Sequence, residues 1–160
     1  MHRAGHVGAA LLTYVPFGFV LSAAEPALAI LGGVGVVVLS RLPDIDFVLP
    51  GVEHRGATHT VGFLLVVTAV LAGVGFVISG TFGTGTTPGQ SAVLGALIGA
   101  TAVGSHLLAD MLAPPGLPLL WPVSRAQFTV NVTHPRDPLA NYGLLTFGVV
   151  LTVLVGYVAS

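Results

Sequence analysis

The sequence has 160 residues, a formal net charge of −1 and only 7% charged residues, against roughly 25% in an average soluble domain. With a mean hydropathy of +0.95, this excludes an ordinary soluble domain, and the near-neutral charge excludes the basic field that nucleic-acid binding needs. No cysteine is present, so disulfides and thiolate ligands are excluded and any metal must be held by His and carboxylate.

The first six residues are polar. Val7 to Ala24 is uncharged over 18 residues, the lower end of a spanning helix, and Pro16 is expected to kink it. A secretory signal peptide, with Arg3 before an apolar core and Ser22-Ala23-Ala24 as the cleavage site, is the lesser alternative. Its charged start is weak and cleavage would discard His6. Glu25-Pro26 makes a turn, with Pro26 suited to the first turn of a second helix. That helix runs from Ala27 to Leu39, or on to Arg41, and ends at Leu42-Pro43-Asp44-Ile45-Asp46. Phe47 to Gly51 reads as a Pro/Gly-bounded connector, followed by Glu53 to Thr60. Thr58 or Thr60 is the expected N-cap of a third helix, Val61 to Ser79. Gly80 to Gln90 is a Gly/Thr loop. A fourth helix runs from Ser91 to Met111. Ala113 to Asp137 is too rich in proline to span, and Leu139 to Ala159 makes a fifth helix. No repeat or linker divides the chain, so residues 1–160 are expected to form one membrane-embedded, all-α bundle of about five transmembrane helices.

This order of helices sorts the polar residues. The start of helix 1, the end of helix 2, the start of helix 3, the end of helix 4 and the start of helix 5 fall on one membrane face. All six His (His2, His6, His54, His59, His106 and His134), all five Arg and five of the six acids lie near it. Only Glu25 falls on the other. By the positive-inside rule the polar face is cytoplasmic, with the N-terminus in and the C-terminus out.

From Gly56 to Ala109 there is no Asp, Glu, Lys or Arg. His106 and Asp110 then stand at i and i+4, one above the other on one helix face. Helix ends bring His6, Asp44, Asp46, His54 and His59 towards them. Imidazole and carboxylate without thiolate suit Zn²⁺, Mn²⁺ or Fe²⁺. Asp44 and Asp46 point to one side if their stretch is extended, and a carboxylate can bridge two ions as in phosphoester hydrolysis. Arg55 can clamp a phosphate, assisted by the positive end of the third helix. Blander readings compete. Asp44 and Asp46 are as readily a helix-ending turn, and His106 with Asp110 can be a structural pair. His2 and His134 read as interfacial, Arg41 and Arg125 as head-group anchors, and Trp121 as interfacial belt or core.

Gly5-His6, LPDID at 42–46, HRGATHT at 54–60 and SHLLADMLAPPGLPLLWP at 105–122 together resemble the YdjM-type inner-membrane proteins, a family of membrane-bound metal-dependent hydrolases. A more distant likeness is to zinc-dependent phospholipase C and P1-type nucleases, which order their ligands as an N-terminal His, an Asp, a His and His-x-x-x-Asp. That likeness implies one site from Asp44 or Asp46, His59, His106 and Asp110, and a second from His6 with Asp110. It implies no third ion, since only His134 follows as a further ligand and no Glu does. The amino-terminal amine those enzymes use as a ligand is absent unless Met1 is processed and the short MHRAG segment folds in.

The combined expectation is a divalent-metal-dependent hydrolase holding two Zn²⁺ ions, with Mn²⁺ as the alternative. His6, Asp44, Asp46, His59, His106 and Asp110 would be metal ligands, and Asp44, His54 and Arg55 would act on the substrate. That substrate would be a phosphoester in a phospholipid or another membrane-presented molecule, cleaved in a phospholipase C-like or lipid phosphatase reaction, with no nucleic acid involved. Two other classes stand beside it. A metal or ion transporter would want ionisable residues near the midplane, where this chain is apolar. A non-catalytic membrane protein with a stabilising metal would want closed coordination.

Overall fold

The computed structural model describes residues 1–48, 54–81 and 85–159. Part of the expected Phe47–Gly51 connector, together with Glu53 and Phe82 to Thr84 of the expected Gly/Thr loop, lies outside the described residues. Among the described residues, five α-helices carry the fold: α1 Arg3–Ala24, α2 Pro26–Leu39, α3 Val61–Val77, α4 Pro88–Met111 and α5 Pro138–Val158. No strand occurs among the described residues; Leu117 and Phe128 form one isolated antiparallel bridge.

The helix starts follow local chemistry. Pro26, Pro88 and Pro138 each sit in a first turn, where the missing N–H costs nothing. Thr60 caps α3 by accepting from Phe63 N at 3.0 Å. Thr87 and Gln90 form a reciprocal capping box, which starts α4 three residues ahead of the expected Ser91. Asp137 caps α5 by accepting from Leu139 and Ala140. Pro16 is accommodated inside α1 without ending it.

Among the described residues, four helical segments are long and apolar enough to cross a membrane: Arg3–Ala24, Pro26–Phe47, Pro88–Met111 and Pro138–Val158. The second joins α2 to a 3-10 turn at Leu42–Phe47. The apolar α3 has 17 residues, at about 1.5 Å each the lower limit of a spanning helix.

Helices α3 and α4 pack as one pair and α1 and α5 as another, with α1 and α2 both resting on α4. Lipid tails are as apolar as leucine, so helix association in a bilayer depends on close backbone approach at small residues. A Cβ at Gly75 would lie 2.1 Å from Ser91 O, and one at Gly95 2.1 Å from Leu71 O. A Cβ at Gly8 would lie 2.4 Å from the Leu144 carbonyl carbon. These three glycines set the separations within the two pairs.

Apolar side chains such as Val20, Val77, Leu139 and Tyr157 face outward, while a cluster of His and Asp is buried at one end of the bundle. The apolar cluster of Val67, Val103, Leu107 and Leu117 packs beneath it. The Pro-rich segment after α4 folds back onto that helix. Val130 N donates to Met111 O, and Val132 and Thr133 N donate to Leu112 O, satisfying carbonyls that a helix end leaves unpaired.

Candidate metal centre

His106 and Asp110 occupy the last turns of α4 and are buried at 0% and 2% exposure. The two aspartates before them in sequence are not extended as expected. Leu42–Phe47 is a 3-10 turn begun by Leu42-Pro43, and its tighter rotation sends the carboxylates apart. Asp44 stays half-buried and faces α4, while Asp46 is buried and turns towards residues 54–59.

Each of two imidazoles is fixed through Nδ1. His106 Nδ1 lies 2.7 Å from the Ser40 carbonyl oxygen. That oxygen can only accept, so Nδ1 carries the proton. His59 Nδ1 lies 3.0 Å from Thr58 Oγ1 and 3.3 Å from Asp46 Oδ2. Thr58 Oγ1 donates to Asp46 at 3.1 Å, so it is free to accept from His59 Nδ1. This tautomer assignment follows from the partners. Both Nε2 atoms therefore present lone pairs, and they face each other at 3.2 Å.

Two carboxylate oxygens join them. Asp110 Oδ2 is 3.7 Å from His59 Nε2 and 3.6 Å from His106 Nε2. Asp44 Oδ1 is 3.9 Å and 3.6 Å from the same two atoms. His59 Nε2, His106 Nε2 and Asp110 Oδ2 thus converge with no hydrogen between them, an arrangement that repels itself unless a cation sits at its centre, and Asp44 Oδ1 stands beside both imidazoles. Metal–ligand bonds of about 2.0–2.2 Å put neighbouring ligand atoms of a tetrahedron roughly 3.3–3.5 Å apart, so the residues fit one divalent ion.

Asp110 Oδ1 faces the other way. It contacts His6 Nε2 at 3.2 Å, Arg55 Nη2 at 3.2 Å and the Met1 amino group. The His6 ring stacks on His106 with centroids 4.0 Å apart. His6, Asp44 and His106 offer a second set of ligand atoms within 4.8 Å of one another, and Asp44, Asp46 and His54 a third. Two groupings share Asp44 and two share His106, so the aggregate is one centre with more than one possible ion position.

Asp46 Oδ2 also accepts from the Arg55 backbone N at 3.0 Å, and Asp46 Oδ1 lies 3.1 Å from His54 Nδ1. His54 is exposed at the mouth of the centre, its ring 4.0 Å from that of Phe47. Arg55 has a left-handed backbone, φ 59°. Its Nη1 is buried with no hydrogen-bond partner among the described residues, a costly state for a guanidinium unless an acceptor arrives. Burial, with the neighbouring His106 imidazole, holds the His59 pKa down to about 4 against the pull of Asp46, Asp110 and Asp44. His59 is therefore a neutral imidazole at physiological pH, available as an electron-pair donor.

Two clefts flank the centre, and His54 and Arg55 line both. One of about 730 Å³ carries His6, Asp44 and Asp110 on its wall, with Arg41 and His2 at its edge. The other, about 1220 Å³, lies under the Pro-rich segment and includes His134, away from the ion ligands. An apolar groove of about 320 Å³ between α2, α3 and α4 runs from Leu28 to Leu39, and Leu39 also lines the smaller polar cleft.

Ser40, Thr58 and Asn141 contribute without having been singled out as site residues. Ser40 acts through its backbone carbonyl, which no residue type signals, and Thr58 entered only as a candidate helix cap. Asn141 is buried, accepts from the His2 backbone N at 2.8 Å and donates to Pro135 O and Asp137 O. A lone amide in an otherwise apolar span was the available signal.

A family model described as YdjM inner membrane protein matches residues 1–160. The inner membrane proteins YdjM of Escherichia coli (strain K12) and of Shigella flexneri are each 40% identical over 83 residues, covering 52% of this chain. The matched region spans 37% of each relative's length. No solved structure matches the chain, and none of the matches supports the expected likeness to zinc-dependent phospholipase C and P1-type nucleases.

Proposed function

The chain belongs to the YdjM inner membrane protein family, and from that premise we propose that it is a divalent-metal-dependent hydrolase acting on a phosphoester presented by the membrane. The observation that carries this reading is the facing pair of His59 and His106 Nε2 lone pairs, closed by Asp44 and Asp110. Asp44, His59, His106 and Asp110 Oδ2 would hold one ion, and His6 with Asp110 Oδ1 a second. Asp46 would act behind His59 and His54, its oxygens engaging Nδ1 of both rings, and would bind an ion only in the third grouping, with Asp44 and His54. Zn²⁺ is the expected metal and Mn²⁺ the alternative, since the donors are imidazole and carboxylate.

Bound by these residues, divalent ions would activate a water and neutralise phosphoryl charge. Arg55 Nη1, which lacks an acceptor, would hold a phosphoryl oxygen, and Nη2 would join it once Asp110 Oδ1 is engaged elsewhere. His54 Nε2, with Nδ1 held by Asp46, would exchange a proton with substrate or water at the mouth. The apolar groove reaching the cleft through Leu39 suits an acyl chain, which favours a lipid substrate. Arg clustering argues for a centre on the cytoplasmic face, with the N-terminus in and the C-terminus out. That parity requires α3 to cross the membrane.

Four protein donors around one ion would also close its coordination, as in a structural site, and this favours a non-catalytic, metal-stabilised protein as the second reading. Purified protein separates the two. After chelation, hydrolysis of an aryl phosphodiester or a phospholipid should disappear and return with Zn²⁺ or Mn²⁺. Metal-dependent melting with no hydrolysis under any metal would favour the structural reading.

A further inference from the structure

Beyond His54 and Arg55, which it shares with the smaller cleft, the larger cleft has no part in the reaction described above. Arg55, Arg125, Arg136, His54 and His134 contribute to its wall together with Trp121. No acid lines it among the described residues, and neither Arg125 nor Arg136 forms an ion pair there. His134 Nδ1 accepts from the Arg136 backbone N at 3.2 Å, leaving its Nε2 for the cleft.

The wall is built rather than loose. Leu117 and Phe128 exchange two backbone hydrogen bonds, 3.0 and 2.9 Å, and the returning chain is pinned to Met111 and Leu112. Gly116 takes φ 101°, and a Cβ there would lie 2.9 Å from Phe128 O. A Pro-rich segment held this closely to the end of α4 fixes the backbone that carries these cations, whose exposed side chains line one cleft with Arg55. Head-group anchors need only protrude.

We propose that this cleft is a second anion subsite, which takes a further phosphoryl group of the substrate beyond the one at Arg55 and Asp110. It rests on the proposed hydrolase reading and narrows the substrate class to lipids carrying two phosphoryl groups, such as a lipid diphosphate. Arg55 borders both clefts, so adjoining phosphoryl groups can lie on either side of it. Arg125 and Arg136 then set affinity for the outer group without touching the ions.

The direct test is calorimetric binding of inorganic pyrophosphate to the detergent-purified, chelated full chain. Arg125→Gln with Arg136→Gln should weaken binding by about tenfold or more, the scale of losing charge-assisted hydrogen bonds. Arg125→Lys with Arg136→Lys should retain most of it, which answers any concern that the Gln pair misfolds. In turnover, the Gln pair should raise KM for a lipid diphosphate while leaving KM for the monophosphate nearly unchanged. Equal pyrophosphate affinity in wild type and the Gln pair would overturn the subsite and leave both Arg as contacts for bulk head groups. Binding lost in the Gln pair, in a protein that hydrolyses neither lipid, would uphold the anion site and count against the hydrolase reading instead.

Discussion

His59 Nε2 and His106 Nε2 face each other at 3.2 Å, with each ring's Nδ1 held from a different part of the chain. The Ser40 carbonyl at the end of α2 fixes one ring, and Thr58 with Asp46 fixes the other. The repulsion between the two lone pairs is built in by the fold, and a bound cation would turn it into attraction.

Asp46→Asn should therefore weaken metal binding without removing a ligand. It replaces the carboxylate behind His59 and His54 with a neutral amide and loosens the His59 ring. Changes of this kind typically cost about 10–100-fold in metal affinity. Competition with a coloured chelator measures it, and an unchanged affinity would show that Asp46 does not orient His59.

Asp110→Asn should lower metal content more than His106→Ala. Asp110 presents one oxygen to the His59–His106 pair and the other to His6, so its charge serves two ion positions, whereas His106 gives one nitrogen. Elemental analysis of the purified variants should show the larger loss for Asp110→Asn. The double variant should lose little more activity than the worse single one, because groups acting as a unit are non-additive. Unchanged stoichiometry in Asp110→Asn, with a lowered melting temperature, would make the pair structural.

The metal-free protein should lose stability as pH falls from about 6.5 to about 4. His59 has its folded pKa below its ordinary value, so between those two pH values the unfolded chain binds the extra proton and the folded chain does not. Stability from this group is complete above the ordinary pKa and is fully lost below the folded one. Melting curves in detergent across that window should flatten in His59→Asn. A slope equal to that of the wild type would assign the pH dependence to other groups.

Gly75→Ala should loosen the α3–α4 pair, because its Cβ would stand 2.1 Å from Ser91 O and backbone must move. Overpacking of this kind costs about 1–3 kcal/mol. Gly73→Ala is the control: a Cβ there meets nothing within 4 Å, and removing a helical glycine is mildly stabilising. Equal melting temperatures for the two variants would remove Gly75 from the packing argument.

The five helices were legible because each is an apolar run with at most one charge, near its end, bounded by Pro, Gly or a capping residue, and because the polar residues fall at alternate helix ends. His6, His59, His106 and Asp110 could be brought together on that basis alone. The division of labour between Asp44 and Asp46 was not legible. Their spacing reads the same in an extended segment and in a 3-10 turn, and only the turn sends one towards the facing His59 and His106 nitrogens and the other behind His59. The cleft under residues 113–137 was hidden for a related reason. Its closure depends on backbone hydrogen bonds to Met111 and Leu112, which residue types do not announce, so Arg125 and His134 looked like isolated interfacial residues.

The central claim is a cation held between His59 and His106. Anomalous diffraction at the zinc edge, from crystals of the Zn²⁺-replete protein, locates it directly. The account predicts an anomalous peak about 2.0–2.2 Å from both Nε2 atoms, with Asp44 and Asp110 oxygens completing the shell. A Zn²⁺-replete crystal with no peak between the two rings, or with zinc bound only elsewhere, would contradict it.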